Sequence, residues 1–227
     1  MVKELVENAI DAGADAVTVE IKDGGISFIR VTDNGSGIEK SQIGNAFLRH
    51  ATSKITVAED LTDLVSLGFR GEALASIAAV SMVELISKTP EDLTGIRYLI
   101  EGGAEKGKEE IGAPQGTTVI VRSLFYNTPP RKKFLKQPQT EGSYVADLME
   151  HLAMSNPGVS FKFVMNGQTR FYTTGNNDLR EIVYRIYGKE IAAQLIPLSF
   201  EDEGISVSGL LGKPVINRSN RNYEIFY

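Results

Sequence analysis

Four oxygen-bearing side chains near the start of the chain have the types and spacing to do chemistry together. At about 100° per residue, Glu4, Glu7, Asn8 and Asp11 share one face of a helix, while Leu5, Val6, Ala9 and Ile10 share the other. A polar face turned to water accounts for most of that pattern. It does not account for the asparagine, whose amide competes for backbone hydrogen bonds inside a helix. Glu4 and Asn8, one turn apart, present a carboxylate and an amide oxygen to the same point. Such hard oxygen groups suit Mg²⁺ and the orienting of a water.

Two glycine loops offer a second chemistry. Asp33-Asn34-Gly35-Ser36-Gly37 ends a strand pattern and precedes a helical one. These residues are usual in structural turns. Functionally, the glycines let a flat ligand approach the backbone, and Asp33 offers a carboxylate acceptor to an exocyclic amine. Gly68-Phe69-Arg70-Gly71-Glu72-Ala73 runs straight into Leu74-Ala75-Ser76-Ile77-Ala78. A glycine-flanked helix N-terminus presents unpaired N–H groups and the positive dipole end, where phosphates bind. The alternative is a flexible loop before a buried helix. Neither common nucleotide motif is present. Glu39 stands where a P-loop needs its second glycine, no GxxxxGK[ST] occurs, and Lys40 replaces the third glycine of a GxGxxG. Two glycine loops and an Mg²⁺-capable helix without either motif point to a third way of binding ATP.

The elements that must position these groups follow from periodicity. Helices are expected at 3–12, 39–50, 59–66, 72–79, 130–136, 141–154 and 178–187. The 39–50 helix rests on Ile43, Ala46, Phe47 and His50, and 51–58 reads as a polar loop. Strands are expected at 16–22, 26–32, 81–88, 94–101, 116–124, 159–165, 168–173, near 205–211 and at 222–227. Asp23-Gly24-Gly25 reads as a hairpin turn and Asn166-Gly167 as a type I′ turn. Asn127-Thr128-Pro129-Pro130 breaks the chain, and Gly175-Asn176-Asn177 is the best linker. Hairpins mixed with helices argue for an α+β layer sandwich, not a doubly wound parallel sheet. Met1 is followed at once by helical register without an N-cap, and the chain stops inside a strand pattern. Both ends predict a fragment lacking flanking structure.

Composition narrows the classes. With 24 Lys+Arg against 29 Asp+Glu, the net charge of −5 excludes a wholly basic nucleic-acid clamp but not a local basic groove. The dense basic run is Arg131-Lys132-Lys133-Phe134-Leu135-Lys136. It reads as a solvated helix end or as weak contact to DNA phosphates; Arg218 and Arg221 are equally ambiguous. With no cysteine, disulfides, thiolate nucleophiles and Cys-ligated zinc are excluded. Two histidines, His50 and His151, make a multi-His metal site improbable, and neither reads as catalytic. No apolar run approaches about 18 residues, and no signal-peptide layout begins the chain, so no membrane partner and a cytoplasmic location are expected.

In order along the chain stand Glu4-Leu-Val-Glu-Asn8-Ala-Ile-Asp-Ala-Gly13, Asp33-Asn-Gly-Ser-Gly37, His50-Ala-Thr-Ser-Lys54 and Gly68-Phe-Arg-Gly-Glu-Ala-Leu74. Gly116-Thr-Thr118 and Phe125-Tyr-Asn-Thr-Pro-Pro-Arg131 follow. Together they resemble the ATPase region of the MutL family of DNA mismatch-repair proteins, within the GHKL superfamily of Bergerat-fold ATPases. The first, second and fourth blocks are shared in outline with Hsp90 chaperones, type II topoisomerases and histidine kinases. The fourth and last carry wording particular to the MutL group. The resemblance covers essentially the whole chain, most strongly 1–135.

The resemblance implies a mixed, mainly antiparallel sheet in an ATPase domain at 1–175, followed at 176–227 by the start of a ribosomal-protein-S5-like domain. It implies ATP and Mg²⁺ as cofactors. Glu4 resembles the general base acting on the water that attacks the γ-phosphate, and Asn8 the Mg²⁺ ligand. Asp33 is similar to the residue that takes the adenine amine, Gly37 gives the base room, and Thr117 supports the adenine edge. Residues 50–71 resemble the ATP lid. Nucleotide contacts are implied at Thr52, Ser53, Lys54, Gly68, Phe69, Arg70, Gly71, Glu72, Ala73 and Leu74. The family further implies ATP-driven homodimerisation, a mismatch-recognition partner, downstream nucleases and helicases, and weak non-specific DNA binding. The sequence departs from the family pattern where a helix and loop should precede Glu4. A second-domain lysine that reaches the γ-phosphate should lie beyond Tyr227. Impaired hydrolysis is therefore expected, and no nuclease activity. A topoisomerase- or Hsp90-like ATPase and a non-catalytic interaction module are the competing readings.

Overall fold

The computed structural model describes residues 1–48, 73–217 and 223–227. The expected 51–58 loop and 59–66 helix lie outside the described residues, as do His50, Thr52, Ser53, Lys54, Gly68, Phe69, Arg70, Gly71, Glu72, Arg218 and Arg221.

Helix α1 (Val2–Asp11) forms as its periodicity requires and buries Leu5, Val6 and Ala9. Its polar stripe is not wholly solvated. Glu7 is only 7% exposed, and its Oε1 lies 3.3 Å from Lys3 Nζ one turn earlier. Strand β1 (Ala16–Lys22) follows, then β2 (Phe28–Asp33). The expected turn joins them with Asp23, Gly24 and Gly25 all at positive φ. After α2 (Ala73–Ala78) come β3 (Met82–Lys88), β4 (Gly95–Glu101), β5 (Ala104–Ile111) and β6 (Gly116–Arg122). Helices α3 (Pro129–Lys132) and α4 (Pro138–Ser155) lead to the hairpin β7 (Ser160–Met165) and β8 (Gln168–Tyr172). Asn166 and Gly167 both have positive φ, as a type I′ turn demands.

These eight strands form one sheet in the order β5-β4-β3-β6-β2-β1-β7-β8. Only β1 and β7 pair in parallel; every other neighbouring pair is antiparallel. Strand alternation sends Val17, Val19, Ile21, Val83, Leu85, Phe161 and Phe163 to one buried face. Leu5, Val6, Met149 and Leu152 of α1 and α4 belong to the same core. The opposite face is polar and ion-paired. Glu84 accepts from Arg97 Nε at 2.7 Å and from Arg122 Nη1 at 2.9 Å. Burial pushes its carboxyl up, but the two guanidinium groups outweigh that and hold it below the usual carboxylate range.

Beyond the sheet, α5 (Leu179–Tyr187) is capped by Asp178, whose Oδ1 accepts from Arg180 N and Glu181 N at 2.9 and 3.1 Å. Helix α6 (Lys189–Ala192) and the separate hairpin β9 (Leu195–Asp202) and β10 (Ile205–Gly212) follow.

The structure departs from these expectations in five places. Residues 39–48 do not form the expected α-helix. They make successive turns and a short 3-10 helix, Asn45–Phe47, with Gly44 at the break. Ile43 and Phe47 are buried all the same. Strand β5 escaped notice because its Glu105, Lys106, Lys108, Glu109 and Glu110 show no apolar alternation; an edge strand needs none. Strand β9 carries Pro197, which a two-stranded sheet tolerates. Residues 223–227 form no strand: their alternation matches, but no partner strand pairs with them among the described residues. The basic helix expected over 130–136 is the single turn α3, followed by tight turns through Leu135.

Candidate nucleotide site

The end of β2, the start of β6 and the end of β3 converge around Asp33. Antiparallel pairing of β2 with β6 brings Thr118 opposite Thr32, so Thr117 comes next to Asp33. Asp33 Oδ1 accepts from Gly35 N at 2.9 Å and from Thr117 N at 3.2 Å. Burial pushes the Asp33 carboxyl above its ordinary value, and those two N–H groups pull part of the way back.

Two glycines permit this convergence. Gly116 has φ +107, and a Cβ there would collide with the Asp33 carbonyl. Gly37 has φ +73, and a Cβ there would collide with the Lys88 carbonyl. In the described residues Gly37 thus serves close packing against the end of β3. The loop is tied to α1 as well. Ser36 N donates to the Ala12 carbonyl at 2.9 Å, and Asn34 Oδ1 accepts from Asp15 N and Ala16 N at 3.1 and 3.0 Å. Gln115 Nε2 donates to the Gly35 carbonyl at 3.3 Å.

Helix α1 carries the other candidate groups toward this loop. Ala12 N donates to the Asn8 carbonyl at 3.0 Å, so Asn8 stands one turn from the residue that Ser36 contacts. Asn8 is half-buried and Glu4 is exposed. Neither side chain has a hydrogen-bond partner among the described residues. Those residues contain no cluster of three or more His, Asp or Glu able to hold a metal ion. The Asn8 amide oxygen with Glu4 nearby nevertheless fits Mg²⁺, which takes one or two protein ligands and fills its shell with phosphates and water. Ala73 and Leu74, at the start of α2, are half-buried. Two shallow cavities lie away from Asp33. One, of about 180 Å³, sits among α4, β8 and α5 and is lined by residues including Glu150, Arg170 and Phe171. The other borders Asp178 and Lys189.

Sequence reasoning missed Ser87. It is 1% exposed, and its Oγ accepts from Ile38 N at 2.8 Å and lies 2.9 Å from Thr117 Oγ1. The signal was present: Ser87 continues the inward series Val83, Leu85, and a hydroxyl at a core position must have partners. The basic run lies elsewhere. Arg131, Lys132 and Lys133 are all exposed, Phe134 is 87% exposed, and Lys136 Nζ sits 4.8 Å from the Tyr144 ring centroid.

Comparison with known proteins places the fold in a family. The family described as histidine kinase-, DNA gyrase B-, and HSP90-like ATPase matches residues 1–120. A second, described as DNA mismatch repair protein, C-terminal domain, matches residues 183–227. The solved Aquifex aeolicus MutL ATPase domain complexed with ADP is 34% identical, with a TM-score of 0.68 over 88% of this chain and 70% of that one. The chain belongs to the MutL family of these ATPases. Another Aquifex aeolicus MutL ATPase domain gives a TM-score of 0.73 at 30% identity, over 96% of this chain and 72% of that one. The MutL of Agathobacter rectalis is 61% identical across all 227 residues, which span 35% of its length. That of Caldanaerobacter subterraneus subsp. tengcongensis is 48% identical, with 38% of its length spanned. The chain thus spans just over a third of the length of these MutL relatives, and its eight-stranded, mainly antiparallel sheet is the MutL ATPase fold.

Proposed function

We propose that this chain is the ATP-binding, slowly hydrolysing domain of a mismatch-repair coordinator, gated by the nucleotide it holds. The observation that carries the reading is the Asp33 carboxyl. It is fixed at the end of β2 by two backbone N–H groups on Oδ1, beside two glycines that admit close backbone approach. Oδ2 has no hydrogen-bond partner among the described residues and is the oxygen left for the adenine amine. The ADP complex of the Aquifex aeolicus domain supports a nucleotide at this fold.

In this reading Glu4 positions the attacking water and accepts its proton. Asn8 offers its amide oxygen to Mg²⁺, which supplies charge neutralisation at the phosphates when bound. Thr117 lies along the adenine edge and Gly37 sets the loop height. Thr52, Ser53, Lys54, Gly68, Phe69, Arg70, Gly71, Glu72, Ala73 and Leu74 are assigned to the phosphates and the lid. Positioning and electrostatics carry the rate, as in phosphoryl transfer generally.

The ATPase unit is assigned to 1–175 and the start of the second unit to 176–227, in keeping with the two family matches. Helix α5 nevertheless packs Ile182 and Val183 into the core of the first. ATP-driven homodimerisation, a mismatch-recognition partner, downstream nuclease and helicase, a bacterial cytoplasmic setting and impaired hydrolysis in this chain alone complete the proposal. Weak DNA contact is assigned to Arg131, Lys132 and Lys133, where the exposed Phe134 adds a surface on which a base can stack. Isothermal titration with a non-hydrolysable ATP analogue, with and without Mg²⁺, tests the reading. Binding strengthened by Mg²⁺ is expected; a flat titration would favour the competing interaction-module reading.

A further inference from the structure

The corner that turns α1 into β1 is closed by a side chain from another element. Asn34, next to Asp33, reaches across to it. Its Oδ1 accepts from Asp15 N at 3.1 Å and from Ala16 N at 3.0 Å, and its Nδ2 donates to Asp15 Oδ1 at 2.5 Å. The neighbours fix which way the amide lies. Turned over, it would set its NH₂ against two N–H donors and its oxygen against a carboxylate oxygen. Two further contacts bear on the exit of α1 from the same loop. Ser36 N donates to the Ala12 carbonyl at 2.9 Å, and a Cβ on Gly35 would lie 2.7 Å from that same oxygen. Residues 34, 35 and 36 thus meet the end of α1 together. Asp33, just before them, is held separately by its strand pairing with β1 and by Gly35 N and Thr117 N.

We propose that Asn34 is a positioning residue that sets the angle of α1, and with it the places of Glu4 and Asn8, relative to a nucleotide held at Asp33. The inference rests on the reading of Asp33 as the adenine acceptor and of Glu4 and Asn8 as the water and Mg²⁺ groups. Its physical basis is leverage. A helix rises about 1.5 Å per residue, so Asn8 and Glu4 stand about 6 and 12 Å back from Ala12. A tilt of about 5° at the corner therefore moves Asn8 by about 0.5 Å and Glu4 by about 1 Å. A misplacement of about 1 Å at the chemistry can cost on the order of a hundredfold in rate. The apolar face of α1, with Leu5, Val6 and Ala9 buried, keeps the helix on the sheet. That attraction is non-directional and does not fix an angle; the hydrogen bonds at the corner do.

The test takes three measurements on the purified protein: affinity for a non-hydrolysable ATP analogue without Mg²⁺, the gain in that affinity on adding Mg²⁺, and phosphate release from ATP. In Asn34→Ala the Mg²⁺-free affinity is expected to stay within about twofold of wild type. The Mg²⁺ gain should fall about threefold and phosphate release about tenfold or more, in the order of the lever arms. Asn34→Asp keeps an acceptor for Asp15 N and Ala16 N but sets two carboxylates against each other, and should lose phosphate release to a similar extent. Adding Asp15→Asn to Asn34→Asp restores an amide–carboxylate pair with donor and acceptor exchanged, and should recover most of that loss. Wild-type phosphate release in a folded Asn34→Ala protein, a loss of Mg²⁺-free affinity as large as the loss of turnover, or no recovery in the double variant would each overturn the proposal. Should Asn34→Ala fail to fold, Asn34→Asp and its double variant carry the test. Asp33→Ala separates the two levels: wild-type ATP binding in that variant sinks the adenine reading itself, whereas its loss together with unaltered turnover in Asn34→Ala sinks only the lever.

Discussion

Strands β2 and β6 lie side by side, and their two ends are built differently. At one end stand Asp33, Gly116 and Thr117; at the other stand Phe28 and Arg122, paired across the same ladder. Five steps of about 3.3 Å separate the ends of β2, roughly 17 Å in all. The Asp33 end is made of backbone. Its carboxyl is held by two N–H groups, and two glycines sit where a Cβ would strike a carbonyl. The Phe28 end is made of long side chains. Lys22 Nζ and the Arg122 guanidinium carbon stand 5.2 and 5.9 Å from the Phe28 ring centroid. The stretch 122–136 continues it with five Lys or Arg and no Asp or Glu, in a chain of net charge −5. A site set by backbone approach tolerates almost no change, whereas one set by snorkelling cations can lose a member and still bind.

Glycine substitutions should break that contrast most sharply. Gly116→Ala forces a Cβ onto the Asp33 carbonyl at φ +107, at an expected cost of about 3 kcal/mol or more. Thermal melts should then fall by about 6–12 °C. Gly107→Ala on the edge strand β5 is the control. Its Cβ would meet only Leu99 Cδ1, at 3.9 Å, and its melt should stay within about 2 °C. A small shift for Gly116→Ala would mean that the convergence at Asp33 is looser than described.

Asp33→Asn sharpens the comparison at the level of charge. The amide oxygen can still accept from Gly35 N and Thr117 N, so the fold should hold while ATP affinity drops about a hundredfold. The sign with pH follows from the raised pKa. Its contribution to stability is present in acid and is lost as pH rises through the raised value, because the buried carboxylate is penalised once ionised. The variant should therefore be at least as stable as wild type at neutral pH. Wild-type ATP affinity should fall on acidification, starting above the ordinary 3.8. An ATP affinity independent of pH down to that value would remove Asp33 from the binding edge.

The far end should respond more gently. Replacing Arg131, Lys132 and Lys133 together by Ala should reduce the salt slope of DNA binding by about 3. The melt should stay within about 2 °C and the ATP affinity within about twofold. A slope unaltered by the triple change would assign DNA contact to other residues.

Much of this was legible in the residues. The β1–β2 hairpin, the Asn166-Gly167 turn and the inward rows Val17-Val19-Ile21 and Val83-Leu85 follow from period-2 alternation and turn chemistry. Asp33 and its glycines were readable as a turn able to meet a ligand. Alternation could not reveal β5, whose stability comes from pairing with β4 and not from an apolar face. Nor could it reveal that 39–48 would give up a helix: periodicity registers that Ile43 and Phe47 are buried, not how the backbone connects them. Ser87 stayed hidden for another reason. Its partners are 49 and 30 residues away in sequence, and only the ladder of β2, β6 and β3 brings them together.

The proposed division of labour between Asp33 and Glu4 is addressed by one paired measurement. ATP binding by titration and phosphate release are compared in Asp33→Ala and Glu4→Ala. Asp33→Ala should bind no detectable ATP, whereas Glu4→Ala should bind as wild type and lose hydrolysis by about a hundredfold or more. Equal loss of ATP affinity in both, or unimpaired hydrolysis without Glu4, would contradict it.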